Sequence, residues 1–229
     1  MCGARTGWGG APVASVGVTS NSTSAYADAP KSGTGPGVLV LHSWFGLTEQ
    51  VKDLCNRLAD EGFTALAPDL LGEVATDAAH GEQLLLEADP NELVLGVQSC
   101  ADALRRMPAT PDGPIMVVGF SMGASLGLWL SEREPDTVSA VAAYYGTQSI
   151  DFTATRSRYL FHLAHEDPMI DADELALMEA SLGLADRPIE VHRYDGVEHF
   201  FAEPGTPNHD AEATEAAWRR TVEFLRKAS

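Results

Sequence analysis

The sequence predicts an α/β fold: a doubly wound, mostly parallel sheet with helices on both faces, formed as a single domain. From about residue 38 onward, short apolar runs rich in β-branched residues alternate with amphipathic segments of helical period. This alternation is typical of parallel strands that are covered by helices on both sides. The chain has 229 residues and 45% hydrophobic residues, which suffices for one undivided core.

The N-terminal segment differs in composition from the rest of the chain. Residues 1–30 are rich in Gly, Ser and Thr, and the domain itself is predicted to cover residues 31–229. Within the segment, residues 1–12 are expected to be disordered. Val13–Thr19 and Ser22–Ala27 are predicted to form a peripheral hairpin.

The remaining elements follow in order along the chain. Buried strands are predicted at Val38–Leu41, Phe63–Ala67, Pro114–Val118, Val138–Tyr144, Arg158–Leu163 and Ile189–Tyr194. Helices are predicted from the cap Thr48 to Gly62, from Asp89 to about Met107, after Ser121 to before Pro135, near Asp171–Leu182 and over Asn208–Lys227. Residues 72–89 are expected to be irregular and contain the candidate lid.

Charge and cysteine content exclude several classes of partner. The 33 acidic and 15 basic residues give a formal charge of −18, which repels nucleic acid and anionic membranes. No apolar run approaches the roughly 18 residues of a membrane helix, and the start does not resemble a secretory signal. The three cysteines, Cys2, Cys55 and Cys100, are widely spaced. They favour structural thiols and a cytoplasmic location.

The most informative motif is Gly119-Phe120-Ser121-Met122-Gly123, placed between a predicted strand and a predicted helix. A Gly-x-Ser-x-Gly turn at such a junction lifts the serine off the sheet, where its hydroxyl can act as a nucleophile. The alternative is a glycine-rich loop in which Ser121 only caps the following helix.

A nucleophilic serine needs a base, and the base needs an orienting carboxylate. Both are expected on loops after late strands, in the order serine, acid, histidine. Asp167 is the preferred acid, with Glu166 and Asp171 as alternatives on or near the same loop. His199 is the preferred base, with His165 as its rival. Asp167 before proline could also be an ordinary turn residue.

Hydrolysis of an acyl group also requires donors for the oxyanion. The backbone N–H of Met122 is one candidate, and that of Trp44, in the loop after the first buried strand, is the other. Aromatic and other apolar residues near these loops are expected to contact substrate, although they could equally belong to the core. They are Phe45, Phe120, Tyr145, Met169 and Phe200.

Several motifs in order carry a resemblance to the dienelactone hydrolase family of α/β-hydrolases. They are His42-Ser-Trp-Phe-Gly-Leu47, Ala67-Pro-Asp-Leu70, Gly119-Phe-Ser-Met-Gly123, Tyr144-Tyr-Gly146, His165-Glu-Asp-Pro168 and Glu198-His-Phe200. The resemblance runs from about Gly35 to the C-terminus. It implies an α/β-hydrolase fold, a nucleophile–Asp–His triad and hydrolysis of a small ester or lactone without cofactor or metal. The chain is expected to be a monomer or weak homo-oligomer.

The sequence departs from the family pattern at positions that bear on substrate choice. Members that open dienelactone resemble one another in having Cys at the position of Ser121 and Glu at that of Ser43. They also bind the substrate carboxylate with arginines, and one of these positions is Glu203 here. Residues 72–91 contain no Lys or Arg. Ser43 and Glu203 are therefore expected to line a site for neutral substrates.

Three functions stay open on this basis. The first is a serine carboxylesterase or lactonase for small neutral substrates, and the second is carboxymethylenebutenolidase (dienelactone hydrolase) activity. The third is a catalytically silent α/β-hydrolase fold that serves as a binding protein. Retention of nucleophile, acid and base in the required order argues against the third function, because fold alone would not require them.

Overall fold

The computed structural model describes residues 23–229, which form one seven-stranded sheet in this part of the chain. The strands are β1 (Ala25–Asp28), β2 (Gly37–Leu41), β3 (Thr64–Pro68), β4 (Ile115–Phe120), β5 (Val138–Tyr144), β6 (Arg158–Ala164) and β7 (Ile189–Tyr194). Their order in the sheet is β1-β3-β2-β4-β5-β6-β7. Every pairing is parallel except β1 with β3, which confirms the mostly parallel sheet.

Six α-helices occur within residues 23–229. They are α1 (Glu49–Asp60), α2 (Ala78–Glu87), α3 (Pro90–Arg106), α4 (Met122–Arg133), α5 (Ala172–Leu184) and α6 (Ala211–Ala228). The first begins as predicted, because the hydroxyl of Thr48 accepts a hydrogen bond from Val51 N–H. No helix in the described residues is both long and apolar enough to span a bilayer.

The helices cover both faces of the sheet, and the strands alternate between two cores. In β2, Val38 and Val40 belong to one core with α1 and α6, whereas Leu39 and Leu41 belong to the other core with α3, α4 and α5. Successive side chains of a strand point to opposite faces, so a strand that is buried on both sides reads as one apolar run. This arrangement confirms the doubly wound fold.

The N-terminal part of the described chain forms an edge strand. Residues of β1 pair antiparallel with β3, from Ala25 opposite Pro68 to Asp28 opposite Ala65. This strand overlaps the second half of the predicted hairpin. The expected disorder of residues 1–12 and the strand at 13–19 lie outside the described residues.

The expectation of an irregular stretch over residues 72–89 is wrong for its second half, where α2 forms. Asp77 caps this helix by accepting a hydrogen bond from His80 N–H at 2.9 Å. Gly81 lowers helix propensity, but its missing side chain is required here. A Cβ at Gly81 would lie 2.8 Å from the ring of Trp44, so tertiary packing outweighs local propensity.

Both described cysteines are buried and free. Cys55 lies on the inner side of α1 and Cys100 on that of α3. Burial raises the pKa of the Cys55 thiol to about 12 and that of Cys100 to about 11. They are thus unreactive core residues near neutral pH, as predicted for structural thiols.

Candidate active site

The sharp turn between β4 and α4 holds Ser121 in an unusual backbone conformation. Its φ is 50° and its ψ is −115°, a region that non-glycine residues rarely occupy and that costs about 1–3 kcal/mol. The backbone N–H of Ser121 donates to the carbonyl of Tyr144 at 2.9 Å. The Ser121 side chain makes no capping hydrogen bond to α4. The alternative in which Ser121 serves only as a helix cap is therefore wrong.

The two glycines of the motif allow this turn to pack closely on its surroundings. A Cβ on Gly119 would lie 2.4 Å from the carbonyl oxygen of Gly123. A Cβ on Gly123 would lie 2.2 Å from the carbonyl oxygen of Leu41 and 2.6 Å from that of His42. These glycines are required because the start of α4 rests directly on the backbone that follows β2.

Ser121, His199 and Asp167 form a continuous hydrogen-bonded chain. The hydroxyl of Ser121 lies 2.8 Å from Nε2 of His199. On the other side of the ring, Nδ1 lies 2.8 Å from Oδ2 of Asp167. Because a carboxylate only accepts hydrogen bonds, Nδ1 carries the proton and Nε2 is free to accept one from the serine. The structure thus brings together the three residues that were predicted from three separate loops.

The loop after β6 holds Asp167 in place, whereas Glu166 and Asp171, the alternatives to Asp167, and His165, the alternative to His199, have other surroundings. Oδ1 of Asp167 accepts the backbone N–H of Met169 at 3.0 Å, and only 5% of the Asp167 side chain is exposed. His165 is exposed and pairs with Asp195, whereas Asp171 caps α5. Glu166 is also exposed. None of the three rivals takes part in the hydrogen-bonded chain.

The loop after β7 positions His199 through its backbone. The side chain of Asn208 donates to the carbonyl of His199 at 3.0 Å. Phe200, the next residue, has a φ of 67° and places its ring 4.3 Å from that of His199, edge to face. The imidazole is thus enclosed, with 5% of its side chain exposed. Asn208 was not identified from the sequence, since an asparagine in a polar loop carries no distinguishing pattern.

The two backbone N–H groups predicted to bind the oxyanion lie on adjacent loops, one of which contains Ser121. That of Met122 is the first of α4 and has no partner within the helix. Trp44 lies in a turn closed by a hydrogen bond from Gly46 N–H to the carbonyl of Ser43, and its own N–H takes no part in that bond. The close contact at Gly123 joins the two loops. Binding of a negatively charged oxygen by these two N–H groups stays a prediction.

Ser43, Glu203 and Tyr145 form a second polar group. The hydroxyl of Ser43 donates to Oε2 of Glu203 at 2.7 Å, and that of Tyr145 donates to Oε1 at 3.1 Å. Burial raises the pKa of the Glu203 carboxyl to about 7, although both hydrogen bonds act in the opposite direction. Burial and the neighbouring Glu203 raise the pKa of Tyr145 well above its usual value, so the tyrosine stays a donor.

A cavity of about 1370 Å³ adjoins two of these residues, Ser43 and Glu203, whereas Tyr145, Ser121 and His199 are not part of its wall. Its walls are formed by residues 47–54 at and before α1, by residues 74–79 and by residues 202–207, together with Ser43, Phe45, Phe120, Tyr144, Arg57, Thr214 and Trp218. The volume is ample for a small organic ligand. The contribution of α1 and α6 was not foreseen, because their inward-facing side chains follow the ordinary pattern of core residues.

The aromatic residues predicted to contact substrate are distributed between the cavity wall and the packing around the triad. Phe45 and Phe120 line the cavity. Tyr145 and Phe200 are buried, with ring centres 5.0 and 4.3 Å from that of His199. Met169 is 47% exposed, and its backbone contacts Asp167. Substrate contact by these residues stays a prediction.

The histidine directly after β2 has a structural role. Nδ1 of His42 donates to the carbonyl of Ser43 at 2.6 Å, and Nε2 accepts the N–H of Leu70 at 3.0 Å. Burial lowers the pKa of His42, which keeps the ring neutral for both roles. Within residues 23–229, no three His, Cys, Asp or Glu side chains are grouped so that they could hold a metal ion.

Comparisons with known proteins agree with this architecture. The sequence model of the Dienelactone hydrolase family matches residues 23–229. The protein usf from Aquifex pyrophilus is 30% identical over 213 residues, covering 88% of this chain and 92% of the relative. A carboxymethylenebutenolidase from Pseudomonas sp. strain P51 is 28% identical, with 89% of each chain covered.

A solved structure extends the likeness to the fold. The dienelactone hydrolase-like promiscuous phosphotriesterase from metagenomic libraries superposes with a TM-score of 0.79 at 23% identity, covering 89% of this chain and 92% of the other. Its identity is too low to transfer an activity, but the shared fold is clear. Since the family match spans the whole described chain, the protein belongs to the dienelactone hydrolase family and is a hydrolase with the α/β-hydrolase fold.

Proposed function

We propose that the protein is a serine carboxylesterase or lactonase that cleaves small neutral esters through an acyl-enzyme. The observation that supports this most directly is the chain of two 2.8 Å contacts from Ser121 through His199 to Asp167. It provides a nucleophile, a base with a free Nε2 and a carboxylate that fixes the tautomer. The strained turn at Ser121 is a second support, because such strain is typical of nucleophile turns.

In the proposed reaction, Ser121 Oγ attacks the ester carbonyl carbon and its proton passes to Nε2 of His199. The negatively charged carbonyl oxygen accepts hydrogen bonds from the N–H groups of Met122 and Trp44. As the tetrahedral intermediate collapses, His199 returns the proton to the leaving alkoxide and an acyl-serine remains. Water then attacks the acyl group and gives its proton to His199. As the second tetrahedral intermediate collapses, His199 returns this proton to Ser121 Oγ, and the carboxylic acid is released with serine and histidine restored. Asp167 stabilises the imidazolium throughout.

The preference for neutral substrates follows from Glu203. Its carboxyl lies in the cavity wall, where a substrate carboxylate would lose hydration and face a like charge at alkaline pH. Carboxymethylenebutenolidase activity is a second candidate because a relative of that name is 28% identical. Dienelactone carries a carboxylate, and this makes it the less suitable substrate.

A panel of p-nitrophenyl esters of increasing chain length, assayed beside a neutral lactone and dienelactone, tests the proposal. We expect turnover of short neutral esters, and mass spectrometry of protein treated with diethyl p-nitrophenyl phosphate should show one diethyl phosphoryl group on Ser121. Modification at another residue would contradict the assigned nucleophile. A faster reaction with dienelactone than with neutral esters would favour the second candidate, and the absence of all hydrolysis would favour a silent binding protein.

A further inference from the structure

Glu203 is a carboxylate without a cationic partner. No Lys, Arg or His side chain in the described chain lies within salt-bridge distance of it. The hydroxyls of Ser43 and Tyr145 each satisfy one oxygen. A carboxylate has about four acceptor sites, so Glu203 retains capacity to accept from a group in the cavity.

The basic residues of the cavity wall are already paired elsewhere. Lys52 contacts Glu49 at 2.6 Å. Arg57 contacts Glu215 at 3.0 Å, and its guanidinium lies 4.3 Å from the ring centre of Trp218. The wall also contains Asp53 and Asp77, and Asp77 caps α2. Glu203 thus lies among paired basic groups, apolar side chains and two further carboxylates. A cation that entered the cavity would meet an oriented, uncompensated carboxylate.

We propose that Glu203 is the specificity-determining residue of the proposed esterase and that it binds an ammonium group on the substrate, at a distance from the scissile ester. This inference rests on the proposed function and refines its substrate class, because it ranks cationic esters above neutral ones and neutral ones above anionic ones. Ser43 and Tyr145 orient the carboxylate, and aromatic residues such as Phe45 and Phe120 surround the approaching cation.

The physical basis is the attraction between a carboxylate and an ammonium group in a poorly hydrated setting, where charges interact more strongly than in water. Aromatic faces attract ammonium groups further. Burial disfavours the charged carboxylate, which is why the pKa of Glu203 rises to about 7. A bound cation would remove this penalty. The preference for a cationic substrate then depends on Glu203, and replacing this residue separates its effect from that of the other acidic groups in the wall.

The test uses pairs of p-nitrophenyl esters that end in a trimethylammonium group or in its uncharged tert-butyl isostere. The two members of a pair have the same chain length, and pairs of two different chain lengths are prepared. We expect kcat/KM at pH 8.5 to favour the cationic ester of the better-fitting length by about tenfold, which corresponds to 1.4 kcal/mol. Glu203→Gln keeps the size of the side chain and removes its charge. In this variant, kcat/KM for the cationic ester should exceed that for the uncharged ester by about twofold or less.

A matched control separates a local contact from the general field. Glu82→Gln makes the same charge change at an exposed position on α2 and should leave the ratio unchanged, also at high salt. Equal rates for the two esters in the wild type would overturn the inference, and so would a preference that persists in Glu203→Gln. Hydrolysis of the uncharged ester in the wild type reports the proposed function separately, so the two failures are distinguishable.

Discussion

Ser43 Oγ donates a 2.7 Å hydrogen bond to Oε2 of Glu203 across 160 residues of sequence. Both positions depart from the pattern of dienelactone-opening relatives, where the early loop has Glu and the later position has Arg. The structure shows that these two departures are in contact. They therefore form one altered polar group, in which the carboxylate lies on the loop after β7 and no arginine of the described residues lies within salt-bridge distance of it.

Ser121→Ala should abolish ester hydrolysis while the fold survives. Removal of a triad member costs several powers of ten in kcat. The fold should survive because alanine is smaller than serine and creates no clash. Assays with p-nitrophenyl acetate measure the loss, and circular dichroism confirms that the variant is folded. Turnover at the wild-type rate would show that Ser121 is not the nucleophile.

His199→Ala and Asp167→Asn should also be severely impaired, since the three side chains act as a unit. The control variants are His165→Ala and Glu166→Gln, which alter exposed residues outside the hydrogen-bonded chain and should retain most activity. The double variant of Ser121 and His199 should be little worse than either single variant. Additive losses in kcat would indicate that His199 does not serve Ser121.

The sequence predicted the sheet and the three side chains of the hydrogen-bonded chain because both leave local signals. Buried parallel strands are short apolar runs, and Ser121, Asp167 and His199 each stand in a recognisable turn. Helix α2 left a weaker signal, because Gly81 opposes helix formation and its benefit lies in contact with Trp44. Such a benefit depends on tertiary packing, which local propensity does not contain.

The polar group around Glu203 illustrates the same limit at the site. Tyr145 was placed near substrate from its position, and Ser43 and Glu203 from the family resemblance. Nothing in the sequence indicated that both hydroxyls would bind one carboxylate. The cavity is a further case, since its walls combine the start of α1, residues 74–79 and residues 202–207. Its shape results from how these segments pack together.

Substrate charge should affect kcat/KM strongly. Neutral short-chain esters are expected to react about tenfold faster than an analogue with a free carboxylate, since desolvating an unpaired charge costs about 1–3 kcal/mol. Glu203→Arg should narrow this gap, most visibly at low salt where screening is weakest. Steady-state kinetics with a neutral ester and its carboxylate-bearing analogue measure the ratio of the two kcat/KM values. Preference of the wild type for the anionic ester would show that another residue binds the carboxylate.

The discrimination between neutral and anionic esters should also depend on pH. The pKa of Glu203 is about 7, so the carboxyl is uncharged below that pH and its repulsion of a substrate carboxylate disappears. Tyr145 stays protonated over this range. The ratio of kcat/KM values should therefore rise between about pH 6 and pH 8. If the ratio were constant with pH, or if Glu203→Gln showed the same pH profile as the wild type, ionisation of Glu203 would not be the cause of the discrimination.

Glu203 should reduce the stability of the folded protein at alkaline pH. Its pKa is about 7 in the folded state against an ordinary value of 4.5, so the folded protein holds this proton more tightly than the unfolded chain. The free energy of unfolding therefore falls as the pH rises through this window, because deprotonation favours the unfolded chain. Glu203→Gln lacks this ionisation, so its free energy of unfolding should not fall for this reason as the pH rises.

Urea unfolding of both proteins at pH 5 and pH 8.5 measures the effect. The stability of Glu203→Gln relative to the wild type should be greater at pH 8.5 than at pH 5, by about 1–3 kcal/mol. Comparing two pH values cancels the change in hydrogen bonds to Ser43 and Tyr145 that the amide introduces at both. Glu82→Gln serves as the exposed control and should show no such difference. If the two pH values gave the same relative stability for Glu203→Gln, the raised pKa would be wrong. A carboxylate that is retained at this cost in stability is typical of a residue kept for function.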